Sequence, residues 1–186
     1  MYDPGGEDRG TASPVWERAA LRRLHDVGNR CFLGGGMEFE GCLGAILEAA
    51  IFFTSADKGT LQLLDPSVGC LVIRAQRGFG QPFLDFFSYV HIESDATCGV
   101  AFGNARRVIV EDVTGSGLFA GKPAGAVLLN EGVRAVQSTP LTRRDGHVVG
   151  VVSTHFTHPT RLGHRELRFL DVLARQAADL VEREQA

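Results

Sequence analysis

From Pro14 onward, Trp16, Ala20, Leu24, Val27 and Cys31 recur at three- and four-residue steps. That period puts them on one stripe of an amphipathic helix over 14–31, with Ser13 as its cap and Pro14 in its first turn. Gly34-Gly35-Gly36 ends the pattern. A second helix is expected over 37–53, burying Leu43, Ile46, Leu47, Ala50 and Ile51. The period then changes to two. Thr60–Leu64 and Cys70–Gln76 read as strands around the turn cluster Asp65–Gly69. Phe83, Leu84, Phe86, Phe87 and Val90 suit a short aromatic helix in which Phe83 and Phe87 lie one step apart. A short helix over 97–105, a brief strand over 107–110 and a short helix over 123–130 follow.

The clearest signal lies in 132–156. Two β-branched runs, Val133–Leu141 and Val148–Phe156, flank Asp145-Gly146, a turn pair whose glycine tolerates positive φ. Neither face of either run is fully polar, so the hairpin is expected to be covered on both sides, at the centre of a sheet. Ser138, Thr139, Ser153 and Thr154 interrupt these faces. They read as the floor of a small-molecule pocket or as hydroxyls satisfied locally. The last element is a helix over 163–184 whose Leu167, Leu170, Ala174, Ala177 and Val181 follow a coiled-coil spacing. At 1.5 Å per residue it would reach about 33 Å, more than one small sheet needs for cover. The element order implies an α+β fold: a central antiparallel sheet with terminal helices on one face and short helices on the other.

Composition narrows the function classes. The chain has 186 residues, 44% hydrophobic and 22% charged, which suits one soluble domain over 14–186 behind a disordered lead over 1–13. Its net charge of −3, with acids and bases mixed, argues against nucleic acid as a partner. No apolar run reaches the ~20 residues a membrane span needs, and the expected compartment is the cytoplasm. Cys31, Cys42, Cys70 and Cys98 are spaced by 11, 28 and 28 residues, without a CxxC pair. They are read as free, buried thiols. His155 in the last strand reads as structural, and no catalytic triad, paired-carboxylate motif, phosphate loop or HExxH occurs.

Several segments together resemble a GAF domain, a small-molecule and regulatory module of bacterial sensor proteins. They are Ala56–Leu63, Ala75–Phe79, Cys98–Ala101, Arg107–Val113, Gly132–Leu141 and Gly150–Phe156. The ending LARQAADLVERE resembles GAF domains that precede histidine kinases or PAS-containing modules. The resemblance implies a profilin-like sheet and a homodimer through helices 14–31 and 163–184 that signals to an output domain or kinase. It also implies a pocket lined by Phe79, Phe83, Phe87, Cys98, Phe102, Val110 and Asp112, closed by Phe119 and Leu128, with Ser138 on the floor. Asp112 is read as binding a ligand amine or, more simply, as capping the loop after it. The ligand is left open. With no cysteine after Cys98, covalent bilin attachment in the later half is excluded. A GAF-fold free methionine sulfoxide reductase using Cys98 lacks its resolving thiol in this sequence. An empty dimerisation module is the other alternative. The implied role is therefore a non-catalytic sensor in a two-component-type system.

Overall fold

The structure, a computed structural model, describes residues 14–32 and 38–186. The lead, the Ser13 cap and the Gly34–Gly36 break lie outside the described residues. Helix α1 (Pro14–Phe32) and helix α2 (Phe39–Thr54) are followed by the hairpin of β1 (Lys58–Asp65) and β2 (Cys70–Arg77). Then come α3 (Gln81–Phe86), β3 (Tyr89–His91), α4 (Thr97–Asn104), β4 (Val108–Val110) and a 3-10 turn at Val113–Gly115. The chain continues through α5 (Pro123–Asn130), β5 (Ala135–Thr142), β6 (Val148–Phe156) and α6 (His164–Glu184). Among the described residues the strands form one antiparallel sheet in the order β3-β2-β1-β6-β5-β4. The β5–β6 hairpin thus occupies the interior that its two-sided apolar pattern requires.

Alternation along the strands divides the core in two. Leu61, Leu63, Leu141 and Val152 face α1, α2 and α6, meeting Leu43, Ile46, Leu47, Phe53, Leu170 and Leu173. Phe53 stacks on Phe169 at 4.5 Å, and Trp16 packs its edge on both rings. On the opposite face Leu71, Val136 and Val151 meet Phe79, Phe83, Phe87, Ala101, Phe119 and Leu128. That second layer is a lid made of α3, α4, the 3-10 turn and α5. Strands β1 and β6 approach closely at Gly150, where an added Cβ would strike the Gln62 carbonyl.

Three expectations need correction. Cys31 and Cys42 are joined by a disulfide, their Cα atoms 5.6 Å apart, which leaves Cys70 and Cys98 as free thiols among the described residues. Their eleven-residue separation spans the α1–α2 connection, and packing the helices side by side brings the two within bridging range. Second, the stripe on α6 is no free coiled-coil seam. Leu170, Ala174, Ala177 and Val181 are all buried in the core, so the helix is used for cover nearly to its end. Third, Tyr89–Val90 leaves the aromatic helix and pairs with β2 as an edge strand, a long-range contact that helical spacing does not encode.

Candidate functional site

Strand parity builds a polar floor beneath the lid. Thr60 and Gln62 on β1 and Ser153 and His155 on β6 point the same way, with Thr60 opposite Ser153. Above them stand Phe83 and Phe87 from α3 and its end, Ala96, Thr97 and Cys98 at the start of α4, Phe119, and Leu128 from α5. These residues enclose a cavity with about 20 Å³ of water-accessible space. That is room for about one water, so an organic ligand requires the lid to give.

The hydroxyls of the floor are tied together. The Ser138 Oγ donates to Thr97 Oγ1 at 3.0 Å and lies 2.7 Å from Ser153 Oγ, joining sheet to lid behind the cavity wall. His155 is different. It is 5% exposed, and its Nδ1 has no hydrogen-bond partner among the described residues. The rings of Phe79 and Phe83 meet it edge-on at 4.9 and 5.9 Å. Burial, and then the positive charge of Lys58, push its pKa down to about 3, so the imidazole is neutral. Burial also pushes the Cys98 thiol up to about 11, against hydrogen bonds from the Gly99 and Cys98 amides and the Gln62 side chain. Cys98 is therefore a protonated thiol and a poor nucleophile.

Charge is kept at the rim. Lys58 Nζ donates to the Glu131 carbonyl at 2.8 Å and pairs with its carboxylate at 3.0 Å. The same carboxylate accepts from the Gly80 amide at 3.3 Å. Glu131 thereby clasps β1, the start of α3 and the end of α5, and the Lys58 bond holds its carboxyl below the usual range. On the sheet's other face a polar chain runs to α6. Gln137 donates to Thr154 at 3.1 Å, Thr139 to Gln137 at 2.7 Å, and Arg107 to Thr139 at 2.8 Å. Arg107 also holds the Leu167 carbonyl and pairs with Asp171.

Of the residues expected at the site, Phe83, Phe87, Cys98, Phe119 and Leu128 line the cavity. Phe79 stands behind it, stacked on Phe83 at 3.6 Å. Val110 and Phe102 pack in the surrounding apolar cluster, and Ser138 lies one hydroxyl back. Asp112 is outside. Its carboxylate accepts from the Thr114 amide and hydroxyl at 3.0 and 2.7 Å and pairs with Arg134 at 3.1 Å. Those bonds, the Thr114 hydroxyl first, hold its pKa below the usual range, and capping is its role. The floor residues Thr60, Gln62 and His155 and the lid residues Ala96 and Thr97 are not among the residues the sequence places at this site. Polar side chains two apart on one strand face were the available signal for the floor.

A family model described as GAF domain matches residues 36–182. No curated protein matches the chain in sequence. Among solved structures, a GAF domain from a phosphoenolpyruvate-protein phosphotransferase of Coxiella burnetii superposes with a TM-score of 0.73 at 14% identity, covering 89% of this chain and 94% of that one. The free methionine-R-sulfoxide reductase of Neisseria meningitidis, in complex with its substrate, gives 0.70 at 16% identity, covering 95% and 96%. A domain of a protein assigned as a two-component sensor histidine kinase, from Sinorhizobium meliloti 1021, gives 0.64 at 21% identity, covering 81% and 95%. At these identities the likeness is one of fold.

Proposed function

The chain belongs to the GAF domain family, and from that premise we propose that it is a cytoplasmic regulatory sensor without catalysis of its own. A small neutral molecule enters between sheet and lid, in a two-component-type system. The observation that carries this reading is the unpartnered Nδ1 of His155, in a buried imidazole that helps wall a small cavity. A buried polar atom without a partner costs free energy that a hydrogen-bonding ligand would recover. Among the described residues no charged side chain lines the cavity, which selects against an ionic ligand. Phe83, Phe87 and Phe119 supply apolar walls, and the floor hydroxyls and Gln62 supply orientation.

Ligand entry displaces the lid, because the present volume fits no more than about one water. A ligand shifts the lid's equilibrium only by its differential affinity for the opened arrangement. The displacement reaches α6 through β5, whose Ser138 touches the lid and whose Thr139 holds Arg107 against α6. A homodimer through α1 and α6 would then pass the change to a kinase or other output domain.

The small cavity specifically favours a second reading, a ligand-free dimerisation module with its core filled by phenyl rings. Native mass spectrometry with a visible absorption spectrum of the purified protein, followed by a screen of small neutral compounds against thermal stability, separates the two. Bound mass, or a compound that stabilises wild type but not His155→Phe, is the expected result. No bound mass and no such compound favours the empty module. The reductase reading gains nothing from a protonated Cys98 beside no second thiol in the cavity wall.

A further inference from the structure

A second site lies on the helix-covered side, away from the cavity. Strand β4 pairs with β5 only from Val136 to Ser138, so among the described residues Thr139–Thr142 has β6 on one side and no strand on the other. Pro140, which lacks an N–H, sits in that open stretch and protects it from further strand pairing. Helix α6 passes beside it and leaves a groove of about 370 Å³. Arg107, Arg143 and Arg175 line this groove with, among the described residues, one acidic residue, Asp171. Asp171 is taken by Arg107. Arg175 donates to the Thr142 carbonyl at 3.1 Å and Arg143 to the side-chain oxygen of Gln185. Both acceptors are neutral, and among the described residues neither cation is in an ion pair, Asp145 across the turn acting on Arg143 only through space. The Nε of Arg143 is moreover buried without an acceptor.

We propose that this groove binds a small oxyanion of the phosphate class. Planar guanidinium forks match tetrahedral oxyanions through paired N–H···O bonds, and a bound anion would give Arg143 and Arg175 the ion pair that each lacks. The volume admits phosphate or a phosphorylated small molecule and is too small for a helix. A ligand held jointly by Arg143, beside the β5–β6 turn, and Arg175, on α6, fastens the last helix to the sheet. The groove shares no lining residue with the cavity beneath the lid, and its test does not require a ligand there.

Inorganic phosphate and a simple phosphate monoester, glycerol phosphate, are titrated against the full chain by calorimetry at constant ionic strength. Saturable binding is expected, weakened at least about tenfold in Arg143→Gln/Arg175→Gln and unchanged in Arg144→Gln, whose side chain pairs with Asp179 outside the groove. Tighter binding of the monoester identifies a phosphorylated small molecule as the ligand; equal binding identifies free phosphate. Absence of saturable binding, or equal binding by the double variant, overturns the proposal. Should the double variant fail to fold, Arg143→Gln alone carries the test, because the turn bonds of residue 143 to His147 and Gly146 use only its backbone.

Discussion

His155 concentrates the tension at the residue scale. A solvated imidazole titrates near 6.5, whereas burial lowers this one to about 3 in the folded chain. Between those values the unfolded chain binds one more proton, so stability falls as pH falls, by up to about 1.4 kcal/mol per pH unit. Denaturant titrations should find the wild type about 2 kcal/mol less stable at pH 5 than at pH 7.5, and His155→Phe should flatten the difference. An unchanged pH dependence in the variant would show that other groups carry it. Glu131 acts at lower pH, since its depressed folded pKa supplies stability that is lost as acid protonates it.

At the scale of elements, the β5–β6 hairpin ties two layers together. Ser138 and Ser153 reach the lid face, whereas Gln137 and Thr154 pair on the helix face. This two-sided use depends on close strand contact at Gly150. An alanine there would force its Cβ into the Gln62 carbonyl and to 2.8 Å from Leu63 Cδ2. Gly150→Ala is expected to cost about 3 kcal/mol in chemical unfolding, because backbone cannot step aside as a flexible side chain can. A loss below about 1 kcal/mol would mean that β1 and β6 shift apart easily. The same reasoning makes α6 a core element: removing residues after Arg175 would take away Ala177, Ala178, Leu180 and Val181, all buried.

For the whole molecule, the outer side of α1 and α6 is the surface that the proposed homodimer would use. Leu21 is 62% exposed and Val172 45%, and they flank a groove with Trp16 and Phe169. The proposed homodimer would cover them. Size-exclusion chromatography with light scattering should find a dimer at micromolar concentration and a monomer for Leu21→Asp/Val172→Asp, with unchanged circular dichroism. A monomeric wild type sinks the dimer.

Local pattern in the sequence was sufficient for the central hairpin and for the order of the elements apart from β3 and the 3-10 turn. Periodicity and turn chemistry are properties of neighbouring residues, whereas the five lid residues of the cavity came from the resemblance to GAF domains. Three matters were decided by tertiary structure. The Cys31–Cys42 bond, the burial of the α6 stripe and the edge strand at Tyr89 depend on which elements pack together. So does the floor of the site. Thr60, Gln62, Ser153 and His155 come from strands about ninety residues apart, and only the antiparallel register of β1 on β6 sets them on one face. Asp112 remained outside because a local cap and Arg134 satisfy it first. A sequence read in order shows which side chains can share a face; which faces meet is settled by closing the sheet.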